Sequence, residues 1–314
     1  MQIAVGKELD ADRLAALKAE FPDVTFGSVL DEPDVIREAD AYLGRIEPDV
    51  YARAGDRLRW VHSTGAGIET IIAIPELVAG EIEVTNTRGA HAPFVAEHAM
   101  AMMLALNRFL PEYGADQRKH HFHAYGRGVP MESLFGKRML ILGMGNIGTA
   151  IAQRALGFDM EVVGLDLFVP ERAGAYSILP MEHLDNELES ADVLVVAVPH
   201  TSETHHLIDA RRIGLLKPDA MVIGISRGRI IDEEALAARL REGTLFGAGL
   251  DVFSQEPLPP DHFLWDTPRL IMTPHCAPNA AETRNREMEI TTENVRRFVA
   301  GEPLLNVCDK VAGF

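Results

Sequence analysis

At 314 residues, with 47% hydrophobic residues and a mean hydropathy of 0.00, the chain is long enough for two domains with buried cores. Its net charge of −17 argues against nucleic acid or an anionic membrane as a partner, but leaves room for an anionic substrate in a local cationic pocket. Two cysteines, Cys276 and Cys308, exclude a disulfide framework, and no apolar run approaches the roughly 18 residues of a membrane span, so a cytoplasmic protein without a signal peptide is expected.

Along the first hundred residues, short apolar runs alternate with amphipathic stretches. Residues 2–5, 24–26, 41–43, 59–62 and 83–85 read as strands, and 11–20 and 33–39 as helices between them. Residues 95–110 are apolar on nearly every side, which predicts a fully buried helix at a domain or subunit interface. The four methionines from Met100 to Met131 read as core filler. A more polar stretch, 111–135, leads to a buried strand at 138–142. Further strands are expected at 161–165, 191–198, 220–225, 245–252 and 269–273, a long helix at 278–301, and a tail, 303–309, packed on the first domain. Such alternation predicts an α/β protein with parallel sheets covered by helices.

The strand at 138–142 runs into Gly143, Met144, Gly145, Asn146, Ile147 and Gly148, which open a helix over 147–156. This spacing suits a dinucleotide pyrophosphate. Gly143 allows a tight turn, Gly145 lets the backbone approach phosphate, and Gly148 lets helix and strand pack closely. The helix start adds unpaired N–H groups and the positive end of its dipole. Asp166, at the end of the next apolar run, stands where a ribose diol would be held. A carboxylate there repels a 2′-phosphate and favours NAD over NADP, with Arg172 a nearby counterweight.

Three later segments each follow a predicted strand: Ser226-Arg-Gly-Arg-Ile-Ile-Asp232, Gly249-Leu-Asp-Val-Phe-Ser-Gln-Glu-Pro257 and Thr273-Pro-His-Cys-Ala277. Open α/β sheets hold ligands at the carboxyl ends of their strands. An arginine, a carboxylate and a histidine there suit hydride transfer. Taken in this order behind the glycine motif, the segments resemble the D-isomer-specific 2-hydroxyacid dehydrogenases. The resemblance covers most of the chain and extends to Ser63-Thr-Gly-Ala-Gly67, Val95-Ala-Glu-His98, Pro199-His-Thr-Ser-Glu-Thr204 and Leu215-Lys-Pro-Asp219.

The resemblance implies two Rossmann-like or flavodoxin-like parallel-sheet domains with an active-site cleft between them: 1–96 plus 277–314 for substrate, 97–276 for NAD. It implies a D-2-hydroxyacid dehydrogenase, paired as a homodimer, that acts on glyoxylate, hydroxypyruvate or a larger 2-oxo acid. Arg227 grips the 2-oxo acid with its fixed fork. His275 protonates the carbonyl oxygen as hydride arrives, and Glu256 holds the other ring nitrogen and fixes the tautomer. Asp251 meets the nicotinamide end; Pro199, Thr204, Ser226 and Arg227 border the cofactor. Gly65, Ala66 and Gly67 supply backbone donors for the substrate carboxylate. The competing reading is an NAD(H)-sensing regulatory protein on the same fold, which would need the cofactor site but no acid.

Arg229 and Asp232 read as surface and helix-start residues. His120, His121 and His123 adjoin Arg118 and Lys119, and no carboxylate shares their spacing, so no metal is expected there; His205 and His206 read the same way. Cys276 reads as a packed thiol. Two places depart from the family pattern and bear on substrate. Pro278 stands where an aromatic or glycine is common, and Thr87-Arg-Gly89 replaces a proline-containing turn. Arg88 reads as a solvated loop arginine, with a second anionic group on the substrate as the alternative.

Overall fold

The computed structural model of the chain describes residues 1–124, 126, 128, 131–168, 176–311 and 313. They divide into two compact units, Met1–His91 with Ala280–Phe314, and Ala92–Asn279. Each is built on one sheet, and every strand pairing among the described residues is parallel.

In the first unit the strands are β1 (Gln2–Val5), β2 (Thr25–Ser28), β3 (Ala41–Leu43), β4 (Trp60–His62) and β5 (Glu83–Thr85), in the order β2-β1-β3-β4-β5. Side chains alternate across the sheet. Ile3, Val5, Leu43 and Trp60 bury one face against Leu17 and Val295; Tyr42, Val61 and Val84 bury the other against Ile36, Ile71 and Leu77. The long helix begins later than the pattern suggests, at Thr283, because 278–282 is spent in turns, and it stops at Gly301 in the left-handed region. Beyond it, Asn294 holds both backbone groups of Leu305, and the Cys308 amide donates to Val84 O at 2.8 Å.

In the second unit the strands are β6 (Arg138–Leu142), β7 (Glu161–Asp166), β8 (Ser177–Pro180), β9 (Val193–Val196), β10 (Met221–Gly224), β11 (Gly247–Leu250) and β12 (Leu270–Met272). The order is β12-β11-β10-β9-β6-β7-β8. β8 escaped the sequence pattern because it is a four-residue edge strand with no fully buried side chain.

The apolar helix over 95–110 is corrected in two ways. It spans Ala92–Asn107 and stops there because Phe109 takes a left-handed φ of 54°, after which a separate helix, Leu110–Arg118, starts with Pro111 in its first turn. It is not buried all round: Glu97 and Ala101 are exposed. Its buried side, including Met102, Met103 and Leu106, packs on the second unit's own sheet. Gly247 and Gly249 of β11 make this possible, since a Cβ there would stand 2.9 Å from Leu106 Cδ2 and 2.7 Å from Met102 Sδ. Met100, Met102 and Met103 are core residues, but Met131 is not, at 39% exposed. Among the described residues no helix is long and apolar enough to cross a membrane.

His62 is the most demanding buried polar group of the first sheet. It is fully buried at the end of β4, with Nδ1 2.8 Å from Thr85 Oγ1 and Nε2 3.0 Å from Thr291 Oγ1 on the long helix. Burial pushes its pKa down to about 3, from an ordinary 6.5. Between those values the unfolded chain takes up a proton that the folded chain refuses. The stability from this site is therefore whole above pH 6.5 and declines as pH falls toward 3, by at most about 1.4 kcal/mol per pH unit. His62→Gln should flatten the acid dependence of urea-unfolding free energy between pH 6 and pH 4; parallel curves for parent and variant would refute this.

Candidate active site

At the end of β6, Gly143 takes φ 89°, and a Cβ there would stand 2.9 Å from the Ala197 carbonyl; on Gly148 one would stand 2.0 Å from Gly143 O. Both glycines are required by close backbone approach. Gly145 differs: among the described residues a Cβ on it would meet no heavy atom within 4 Å, so it faces open space there at the start of the Asn146–Leu156 helix. That is the arrangement a pyrophosphate needs, with small residues below and vacant volume above a helix start. Asn146 is exposed and Ile147 half-buried, while the Met144 side chain lies over Gly164 of β7.

Asp166 ends β7 beside this turn. Its Oδ2 accepts from the Met144 amide at 2.6 Å and its Oδ1 from the Phe168 amide at 3.0 Å. Two carboxylate oxygens offer about four acceptor sites, so capacity remains for a diol. Arg172 lies outside the described residues. The sheet order reverses between β6 and β9, where β6's loop meets the loop after β9. In that second loop Thr204 Oγ1 donates to Pro199 O at 2.7 Å and accepts from the Thr201 amide at 2.7 Å.

The loops after β10, β11 and β12 are locked to one another. Gly228 has no room for a side chain, a Cβ standing 1.9 Å from Phe253 O. Beside it, Arg229 Nε donates to Ser254 O at 3.1 Å, and the buried Glu233 accepts from the Ser254 amide and hydroxyl at 2.6 and 2.8 Å. Asp232 caps the following helix by accepting from the Ala235 amide. Arg227 is half-buried, with Nη1 2.8 Å from Ser226 O. The Ser226 hydroxyl is buried and finds no partner among the described residues. A buried hydroxyl without a partner is uncommon, and it fits a position that a ligand completes.

Glu256 and His275 are brought together. Glu256 Oε2 lies 2.8 Å from His275 Nδ1, while Oε1 accepts from the Phe253 amide at 2.9 Å. With Nδ1 held by Glu256, Nε2 is the other ring nitrogen, on a side chain that is 40% exposed. His275 itself has φ 51°, and its amide donates to Asp251 O at 2.7 Å. The Asp251 carboxylate is 1% exposed and turned inward. It accepts from Thr273 Oγ1 at 2.5 Å and from the amides of Cys276 and Ala277, each at 2.9 Å. His98, on the Ala92–Asn107 helix, places Nε2 2.9 Å from Thr273 Oγ1. Asp251 therefore positions the histidine loop from beneath. Burial first, and then the neighbouring Asp251, raise the Cys276 thiol above its ordinary pKa.

In the first unit, Ser63 Oγ donates to Gly67 O at 3.1 Å and Asn86 Nδ2 to Ala66 O at 2.6 Å, which shapes the Gly65-Ala66-Gly67 loop. A cavity of about 200 Å³ lies at the carboxyl ends of the strands, lined by Glu8, Arg13, Arg45, Thr64 and Glu287. Arg45 follows β3, and its Nη2 would stand 3.2 Å from a Cβ on Gly65. The sheet order of this unit reverses between β1 and β3, so the cavity sits where such sheets bind ligands. Arg45 was missed in the sequence; the rule that flagged Arg227, a residue just past a parallel strand, also selects it. Arg88 is exposed, with its backbone held by Asn86 and Asn306.

A family model described as "D-isomer specific 2-hydroxyacid dehydrogenase, NAD binding domain" matches residues 100–277. A glyoxylate reductase of Korarchaeum cryptofilum is 33% identical over 275 residues, 85% of this chain and 82% of that protein. A D-3-phosphoglycerate dehydrogenase of Mycobacterium tuberculosis is 32% identical over 305 residues, 94% of this chain but 57% of that protein. Among solved structures, a D-isomer specific 2-hydroxyacid dehydrogenase from Xanthobacter autotrophicus Py2, in complex with NADPH and MES, is 29% identical with a TM-score of 0.83, covering 100% of this chain and 99% of that one.

If Asp251 braces the histidine loop, Asp251→Asn should cost about 2–4 kcal/mol, because an amide cannot accept from all three donors and leaves at least one buried group unpaired. Thr273→Ala should cost less, about 1 kcal/mol. Urea denaturation of both variants checks the ranking, and an unaltered midpoint for Asp251→Asn would remove the brace.

Proposed function

This chain belongs to the D-isomer-specific 2-hydroxyacid dehydrogenase family, and from that premise we propose that it interconverts a 2-oxo acid and a D-2-hydroxy acid with NAD as the preferred cofactor. The single observation that carries the reading is the Glu256–His275 pair, an imidazole held at Nδ1 on a side chain that is 40% exposed. A sensor of dinucleotide has no use for it.

When bound, the dinucleotide supplies or accepts the hydride. Gly143, Gly145 and Gly148, with the helix start at Asn146 and Ile147, cradle its pyrophosphate; Asp166 takes the ribose diol and Met144, Pro199, Thr204 and Ser226 border it. A carboxylate at Asp166 disfavours a 2′-phosphate, although a related structure was solved with NADPH. Asp251 holds the loop at the nicotinamide end. During reduction, His275 Nε2 gives a proton to the carbonyl oxygen while Glu256 keeps the ring from rotating; in the reverse direction the same nitrogen takes the hydroxyl proton. Arg227 fixes the 2-oxo acid through a fork that matches two oxygens.

We assign Gly65, Ala66 and Gly67 to the substrate carboxylate, and Arg13 and Arg45 to the anionic character of the substrate. Glyoxylate, hydroxypyruvate and larger 2-oxo acids are all compatible with this chemistry; one relative bears the name of a glyoxylate reductase. A cytoplasmic homodimer belongs to the same proposal.

Purified enzyme should oxidise NADH faster than NADPH with at least one acid of a 2-oxo acid panel, followed by loss of reduced-nicotinamide absorbance. Cofactor binding without reduction of any acid would favour the NAD(H)-sensing reading instead. His275→Gln should lower kcat by about 10²–10⁴ while NADH affinity stays within a few-fold, and near-normal turnover would remove it as the acid. Asp166→Ala should narrow the preference for NADH over NADPH; an unchanged ratio counts against the ribose contact.

A further inference from the structure

We propose that Asp116, His121 and His123 form a binding site for a divalent cation of the zinc, cobalt and nickel type, within the second unit and apart from the hydride-transfer residues. The histidines alone lack a carboxylate, but the fold brings one from the preceding helix. The Leu110–Arg118 helix ends with the amides of Lys119 and His121 donating to Asp116 O at 3.0 and 2.9 Å, and His120 reverses the chain with φ 55°. The reversal returns the next residues to the side chain of Asp116. His123 Nε2 then lies 3.2 Å from Asp116 Oδ2, and the rings of His121 and His123 are 4.1 Å apart.

One ligand atom from each residue lies within 4.8 Å of the others. Around a tetrahedral zinc at about 2.1 Å, neighbouring ligand atoms are about 3.4 Å apart, so small side-chain rotations complete the set. Two imidazoles and one carboxylate favour borderline cations over magnesium or calcium, which prefer all-oxygen sites. Asp116 is 8% exposed and His123 half-buried, while His121 is open to solvent, leaving water to fill the remaining position. An open cavity of about 370 Å³ adjoins them, bordered also by Tyr113 and Gln117.

The site stands at the negative end of the helix dipole. Arg118, one of the two cations that argue against metal in the sequence, runs back along its own helix, with Nη1 3.8 Å from a Cβ position on Gly114. Bound metal would pin the reversal to the helix end.

A second set, His98, Asp251 and Cys276, has comparable spacing. It differs in that Asp251 is 1% exposed, and burial raises the Cys276 thiol above its ordinary pKa. It serves as the control. Tag-free, chelator-treated protein is titrated with zinc chloride by calorimetry, and with cobalt chloride by visible absorption. One zinc per chain is expected, with a four-coordinate cobalt spectrum. Asp116→Asn and His123→Ala should each weaken binding tenfold or more, and the double variant His121→Ala, His123→Ala should abolish it with its metal-free melting curve unchanged. Cys276→Ser should bind as the parent does. No saturable binding by the parent, equal binding by the double variant, or loss in Cys276→Ser would each overturn the proposal.

Discussion

The inward carboxylate of Asp251 is the constraint on which the candidate site depends. Placing this group almost out of contact with water is costly unless donors meet it, and the Thr273 hydroxyl and the amides of Cys276 and Ala277 do so. Those donors lie on both sides of His275, so satisfying Asp251 shapes the turn that carries the histidine. The left-handed φ of His275 is a strained choice for a non-glycine residue, and the surrounding hydrogen bonds hold it. The ring then reaches Glu256, whose other oxygen is anchored by the Phe253 amide. His275 is therefore positioned by backbone bonds at each step.

The same economy explains why the candidate site residues come from distant parts of the sequence. A parallel sheet sends every strand's carboxyl end in one direction, so loops far apart in the chain gather along one edge. In the second unit the segments after β10 and β11 are welded by Gly228 against Phe253 and by Glu233 against Ser254, and the loop after β12 joins them through His275 and Glu256. In the first unit the loops after β1, β3 and β4 surround a cavity bearing Arg13 and Arg45. Even in a chain with a net charge of −17, that cavity carries two arginines, beside the carboxylates Glu8 and Glu287.

Much of this was legible from residue order. The alternation of apolar runs gave away the parallel sheets, the glycine spacing the close-packed turn after β6, and the Thr-Pro-His-Cys segment the histidine that Glu256 meets. What stayed hidden depended on contacts between segments. The half-exposed edge strand β8 carries no apolar pattern, and the Ala92–Asn107 helix looks buried all round because its partner's glycines, not its own sequence, decide which side is covered. Arg45 is an ordinary loop arginine until β3 is placed beside β1. Asp116 is a helical acid several residues before the histidines, and only the reversal at His120 makes it their neighbour.

The sequence by itself determined the run of buried strands, and which residue types could carry hydride chemistry, because periodicity and local spacing are properties of the chain. The tertiary structure decided which of those residues meet. Partnerships such as Glu256 with His275, Asp251 with the turn beneath it, and Asp116 with His123 require backbone groups and side chains from separate segments to satisfy one another, and no local pattern encodes that requirement.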